Sequence, residues 1–360
     1  MLLLLTAYPR KEGFTRYCTD FFVKGVEQSG VPYEKIDLTA SGIKPCKGCY
    51  HCWCTTPGKC IQNDGTASLL DKFLEADSFA VATPLYAYGV AGYLKMFIER
   101  TMPLLAPGVT TSSAGIDRNN LRYPERGPRD MTAIITGGLG GLPHSEGAVT
   151  SLRLYAESFN MRFHGAIVRS ESYLLQFTDT KPKTIKTIET ALEQAGRTFA
   201  AERTIDGDTI RKAQLPLAPD LATFQLYSNI YWENAMQVYG RGGSFEEVMR
   251  QTRSDLRILM NEMAHSADPV STARIRAVLR FEFCDPASAY TITLDRGTAT
   301  LDTEPRPRYD LTVSCSAELW ARIVHRTADP LKALTAGEIK LSGDKELFRK
   351  IGRYFPPPNI

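Results

Sequence analysis

A doubly wound α/β domain with a parallel sheet, followed by a separate α+β domain, is the fold class this sequence predicts. Three observations carry it. Through residues 1–203, strand-like apolar runs alternate with segments of helical period. That alternation stops near Glu202. From about Ser244 the strands alternate apolar with polar residues, as in a sheet buried on one face. A chain of 360 residues also exceeds the usual size of a single core.

The elements follow in order. Leu2–Thr6 is a continuous apolar run, as expected of a parallel strand covered on both faces. Thr15–Gln28 repeats Phe21, Phe22 and Val26 at helical spacing. "YEKIDL" is a second strand, and "TASLLDKFLEAD" a helix with Asp64 or Thr66 as N-cap. "SFAVAT" is a third strand, "YLKMFIERTM" a third helix, and Met131–Thr136 a fourth strand. A helix near residues 145–159, the strand "RFHGAIV" and the long helix "TIKTIETALEQAGRTFAAE" complete five strands of a parallel sheet.

Composition limits the function classes. Hydrophobic residues are 43% and charged residues 23%, with a net charge of +3 and no long basic run, which argues against nucleic acid. The opening leucines lack a preceding basic residue and are cut short by Pro9-Arg10, so they read as a strand rather than a signal peptide. No apolar run reaches the ~18 residues of a membrane span. The expectation is a soluble, cytoplasmic protein whose thiols are reduced unless bound or catalytic.

In an open parallel sheet, ligands sit outside the carboxyl ends of the strands. The first such loop, Ala7–Thr15, leads into a helix start that favours a phosphate, with Arg10 and Thr15 as added donors. The third, Thr83–Gly92, offers Pro84 and two tyrosines to a flat ring. The fourth, Gly137–His144, is glycine-rich and permits close backbone approach. There is no GxGxxG and no GxxxxGK[ST]. One phosphate and one ring system suggest FMN over a dinucleotide or ATP.

Three motifs in order then resemble the NADPH-dependent FMN reductase and iron–sulfur flavoprotein group of flavodoxin-like proteins. They are Tyr8-Pro9-Arg10-Lys11-Glu12-Gly13-Phe14-Thr15, then Thr83-Pro84-Leu85-Tyr86 followed by Lys95-Met96-Phe97-Ile98-Glu99-Arg100, and the cysteine loop. The resemblance implies a flavodoxin-like strand order and FMN held at its phosphate by Tyr8, Arg10, Gly13, Phe14 and Thr15. It places Pro84, Leu85, Tyr86 and Gly89 at the ring, with Gly137 and Gly138 nearby. It implies NAD(P)H as electron donor, a small acceptor such as a quinone or apolar molecule, and a homo-oligomer. Tyr8 departs from the group's usual serine. Lys95, Glu99 and Arg100, taken alone, suit a solvated helix face.

Five of the eight cysteines lie within Cys46–Cys60. Cys46, Cys49, Cys52 and Cys60 have a spacing that can ligate a [4Fe–4S] cluster, and four thiolates can also close a zinc site. Trp53 and Cys54 crowd the loop, so thiols or a disulfide-capable group near the flavin are expected instead, with no metal. Lys44, Lys47 and Lys59 are the candidates to favour thiolate. Cys18, Cys284 and Cys315 are expected to be simple buried residues.

Residues 204–243 read as a linker and docking helix, with Phe224, Tyr227 and Tyr231 on one face. Residues 244–360 read as a helix over "SFEEVMRQTRSDLRILMNEM" and an antiparallel sheet in which Ile275, Ala277, Leu279, Phe281 and Phe283 share a face, followed by further helices. Asp310–Val313, Leu319-Trp320, Asp329-Pro330, Ala336–Lys340 and Gly343-Asp344 resemble the sterol-carrier-protein-2 (SCP2) fold. That resemblance implies an apolar cavity for a lipid-like ligand. The functional expectation is an FMN-dependent NAD(P)H oxidoreductase with an accessory SCP2-like domain. The alternatives are an iron–sulfur flavoprotein electron carrier and a non-enzymatic lipid-binding protein.

Overall fold

A computed structural model describes residues 1–112, 115–176 and 182–356. The chain divides into two compact units, Met1–Leu217 and Ala218–Ile360, and the division falls inside the segment read as a linker.

The first unit runs β1 (Leu2–Thr6), α1 (Phe14–Gln28), β2 (Tyr33–Asp37), α2 (His51–Cys54), α3 (Thr66–Glu75), β3 (Ser78–Tyr86), β4 (Gly89–Val90), α4 (Gly92–Glu99), β5 (Leu105–Thr111), β6 (Asp117–Leu121), β7 (Asp130–Thr136), α5 (Glu146–Ser158), β8 (Arg162–Arg169), α6 (Pro182–Glu202) and α7 (Gly207–Ala213). Five parallel strands stand in the order β2-β1-β3-β7-β8, the flavodoxin-like arrangement. β1 lies between two neighbours and every residue in it is buried, which explains its unbroken leucines. The core on one face gathers Leu3, Leu5, Phe73, Phe79, Phe97 and Leu152. β4, an antiparallel addition to β3, and the β5–β6 hairpin carry no strong strand pattern and are absent from the expected elements.

α1 and α6 touch backbone to backbone. A Cβ at Gly25 would collide with the Glu193 carbonyl, and one at Gly196 with the Phe22 carbonyl. Neither obstacle is a movable side-chain end, so the two glycines set the helix separation.

The second unit contains α8 (Leu221–Gly240), α9 (Phe245–Arg253), α10 (Leu256–His265), α11 (Pro269–Thr272), β9 (Arg276–Cys284), β10 (Ala287–Asp295), β11 (Thr298–Asp302), β12 (Leu311–Cys315), α12 (Ala317–Val324), α13 (Pro330–Thr335), β13 (Lys340–Gly343), α14 (Lys345–Arg349) and α15 (Ile351–Tyr354). Within it the Tyr227 hydroxyl donates to Asn261, and Tyr231 packs against Ala235, Val238 and Val248. The expected single helix over residues 244–263 is two, because the Asp255 side chain caps a new start at the Arg257 N–H. The sheet order is β11-β10-β9-β12-β13, and β12 runs parallel to β9 rather than antiparallel. Period-two alternation reports which face is buried but not strand direction, so the sequence pattern is the same for either. Its buried face holds Leu279, Phe281, Ile292, Leu311 and Val313, and Trp320 of α12 joins the same core.

Gly196→Ala is expected to lower unfolding free energy by about 3 kcal/mol, since overpacking here meets backbone. Gly240→Ala, with open space at its Cβ, is the control and should be near neutral in urea titrations. Residues 218–360, expressed alone, should show cooperative thermal unfolding, because the unit has its own core.

Candidate functional site

The loop after β1 ends in a helix start prepared for an anion. Gly13 caps α1 without a side-chain bond, and no acidic residue stands in the first turn. The first N–H of this region to find a backbone partner is that of Tyr17, on the Gly13 carbonyl at 3.1 Å. The N–H groups of Phe14, Thr15 and Arg16 thus precede the first bond of the helix, where the dipole favours negative charge. Arg10 is exposed beside them, and Tyr8 is half-buried. Thr15 is buried, and its hydroxyl lies 2.5 Å from that of Thr136 at the end of β7.

The loop after β3 makes a two-residue turn at Ala87-Tyr88, both left-handed with φ of 48° and 63°. It pairs Leu85 with Val90 and Tyr86 with Gly89. Thr83 fixes its base, accepting from the Ala91 N–H at 3.0 Å. Pro84 is buried, Leu85 half-buried, and Tyr86 and Tyr88 are exposed. After β7, Gly137 is held on both sides: its N–H donates to the Arg169 carbonyl and its carbonyl accepts from the Ser172 N–H. A Cβ at Gly137 would press on Leu85 and on His144 Nε2, whereas Gly138 faces open space. The His144 Nε2 is buried without a hydrogen-bond partner. Burial holds the imidazole below its ordinary pKa, partly offset by a bond with the Gly140 backbone. Because β1, β3 and β7 are neighbours, these loops share one edge of the sheet. His144 closes the glycine loop quoted from the sequence, but nothing in its spacing singles it out.

Cys46, Cys49, Cys52 and Cys60 line one cavity of about 370 Å³, together with Lys47, Tyr50, Arg100 and Met102. The Cys46 sulfur accepts the Gly48 N–H at 3.4 Å, and the Cys60 sulfur accepts the Gln62 N–H at 3.5 Å. Burial raises the Cys52 thiol, and its neighbours Cys60, Cys46 and Cys49 raise it further. Among the described residues, no three His, Cys, Asp or Glu side chains converge on the position of a single metal ion. Trp53 stands behind Tyr50 rather than in the cavity. Its indole N–H reaches the Met102 carbonyl at 3.0 Å, and neither Trp53 nor Cys54 is among the cavity's walls.

Arg100 is not on a solvated face. Its side chain is 1% exposed and forms a two-pronged pair with Asp64, Nη1 to Oδ2 at 2.7 Å and Nη2 to Oδ1 at 3.0 Å. Nη1 also donates to the Lys44 carbonyl at 2.7 Å, and Nη2 to the Cys60 sulfur at 3.3 Å. The positive charge bonded to a cysteine is therefore Arg100, rather than any of the three lysines named from sequence. Asp64 does not cap α3 through its position; Gly65 holds that place, and Asp64 bonds the Thr66 N–H beside it.

Residues 1–164 match the NADPH-dependent FMN reductase family, and residues 259–356 match the SCP-2 sterol transfer family. Both units match the families they resemble. An iron-sulfur flavoprotein of Methanocaldococcus jannaschii is 33% identical over 28% of this chain and 51% of its own length. One from Archaeoglobus fulgidus is 34% identical over 26% of this chain and 42% of its own. The chain thus spans about half the length of the curated relatives it matches. Among solved structures, an FMN-dependent NADH-azoreductase of Bacillus anthracis in complex with FMN covers 55% of this chain and 98% of its own, at 13% identity and TM-score 0.42.

Two of the thiols outside the cavity are buried. Cys18 is fully buried, which pushes its pKa up to about 12, and burial with Cys284 nearby does the same for Cys315. Cys284 is exposed, contrary to expectation, because it follows the inward-facing Phe283 on an alternating strand. Brief iodoacetamide treatment of the folded metal-free protein is expected to label Cys46, Cys49, Cys54 and Cys284 and to spare Cys18 and Cys315, read by peptide mass spectrometry.

Burial alone would raise the Asp64 carboxyl. Its bonds from Arg100, Thr66 and the Lys44 and Thr66 N–H groups outweigh that and hold it well below the usual range. A depressed folded value means the stabilisation is complete above the unfolded value, about pH 4, and is lost as pH falls toward the folded one. Asp64→Asn is expected to flatten the acid limb of the stability curve below about pH 4. It should also cost about 3 kcal/mol or more at neutral pH by leaving Arg100 unpaired, both read from urea unfolding.

Proposed function

We propose that the protein is an FMN-dependent NAD(P)H oxidoreductase that passes electrons to a small planar or apolar acceptor such as a quinone. The observation that carries this reading is the uncapped start of α1 at the same sheet edge as exposed Tyr86 and open-sided Gly138. The N–H groups of Gly13, Phe14 and Thr15, with Arg10, would hold the phosphate. Tyr8 borders that loop. Pro84, Leu85, Tyr86 and Gly89 would flank the ring, and Gly137 and Gly138 admit its edge without a side chain in the way. When bound, FMN supplies hydride acceptance from the nicotinamide and electron delivery to the acceptor. The chain's part is to orient the ring and to offer the aromatic faces of Tyr86 and Tyr88 to the incoming molecules. Assembly into a homo-oligomer and residence in the cytoplasm belong to the same reading. No helix among the described residues is long and apolar enough to cross a membrane.

The second unit offers a cavity of about 500 Å³ whose walls are largely apolar, among them Met263, Trp320, Ile323, Val324, Ile351 and Phe355, with Glu262, Arg326 and Asp329 also lining it. It suits a lipid-like molecule, in an accessory role.

A second reading concerns the cysteines. Four sulfurs around one cavity, two of them accepting backbone N–H bonds, favour a [4Fe–4S] cluster held by Cys46, Cys49, Cys52 and Cys60. The curated relatives are named as iron-sulfur flavoproteins, which supports it. When bound, such a cluster supplies one-electron transfer beside a two-electron flavin.

Purified protein is expected to bind FMN near one per chain and to prefer it to FAD. Arg10→Ala with Thr15→Ala should weaken FMN about tenfold or more, through loss of a charge and a hydroxyl. Unchanged affinity in fluorescence titrations would remove the phosphate assignment, and a protein that takes up no flavin would leave the lipid-binding alternative.

A further inference from the structure

We infer that Arg100 is a positioning residue for the four-cysteine site: one guanidinium closes both ends of the cysteine segment and aims a cationic N–H at the Cys60 sulfur. The inference rests on the cluster reading above. Its geometry is independent of it. Lys44, two residues before Cys46, is gripped twice by the buried pair: its N–H donates to Asp64 Oδ2 at 3.0 Å and its carbonyl accepts from Arg100. Asp64 itself follows Cys60 by four residues. Residues 44 and 64 are thereby clasped at one point, and the chain between them must return as a loop whose four sulfurs share a cavity.

The loop has little other regular structure to hold it. α2 is a single turn, and residues 42–50 form neither helix nor strand. The clasp comes from outside the segment, from the C-cap of α4. A fixed loop keeps the sulfurs gathered without metal and lowers the ordering cost of binding. The charge has a second effect. Four thiolates around a cluster core carry excess negative charge, and N–H donors to the sulfurs favour the reduced form. The Gly48 and Gln62 donors are neutral, whereas Arg100 is cationic and 1% exposed, so its field is little screened by solvent.

The test uses full-length wild type, Arg100→Lys and Arg100→Gln, loaded anaerobically with ferrous iron and sulfide. Folding is checked by cooperative thermal unfolding. Wild type is expected to hold iron and sulfide at about four each per chain. Arg100→Lys keeps a charge but cannot bridge Asp64, Lys44 and Cys60 together. It should lose iron to a chelator about tenfold faster. Arg100→Gln should do so too and should also titrate at a more negative midpoint potential. If Arg100→Gln does not fold, Arg100→Lys decides by the chelator rate. A wild type that takes up no iron and sulfide overturns the cluster reading and this role with it. A wild type that loads, with folded variants matching it in chelator rate and midpoint, overturns the role of Arg100 alone. Lower thermal stability with an unmoved midpoint and chelator rate marks a merely structural ion pair and overturns it as well.

Discussion

Parallel strands require every return connection to cross a face of the sheet, so each strand delivers its following loop to the same edge. In the first unit this constraint brings together residues as distant as Gly13, Tyr86 and Gly138. The Thr15–Thr136 hydroxyl contact is its most local expression, joining the first turn of α1 to the last residue of β7. None of these loops needs to be long or specially shaped to meet the others. The strand order 2-1-3-7-8 does the assembling, and the buried leucines of β1 hold that order in place.

Much of this was legible because it depends on period and punctuation. Unbroken apolar runs mark strands covered on both faces, and Gly13, Gly137 and Gly138 mark the loops that leave β1 and β7. The pieces that were not legible share a different cause. β4 is two residues long, and the β5–β6 hairpin is largely exposed, so burial imposes no pattern on either. The direction of β12 leaves no trace in its alternation. Asp255 was hidden inside an apparently continuous helical pattern, although a capping aspartate was the available sign.

Taken alone in the sequence, Arg100 gives no sign of its burial, and the reason is physical. A charged residue at the end of an exposed-looking helix is usually solvated, and its partner lies 36 positions away in sequence. Only the fold brings Asp64 to it. The buried pair is costly in desolvation and is compensated by bidentate geometry plus bonds to Lys44 and Cys60. α4 links this pair to the turn carrying Tyr86. Its eight residues correspond to about 12 Å of helix, so the cysteine cavity and the β3–β4 turn are held at opposite ends of one short rod.

The glycine contact between α1 and α6 has a consequence for how the chain is made. The stretch matching the FMN reductase family ends at residue 164, before α6 begins. During synthesis, a nascent chain at that point possesses four complete strands and only the first three residues of β8. It still lacks the helix against which Gly25 and the neighbouring turns of α1 are packed. Until residues 182–202 leave the ribosome, part of α1 has only solvent or a chaperone to face. The recognisable module and the foldable one are therefore different lengths. Any excision of the first unit that follows the family boundary would remove the piece that finishes it.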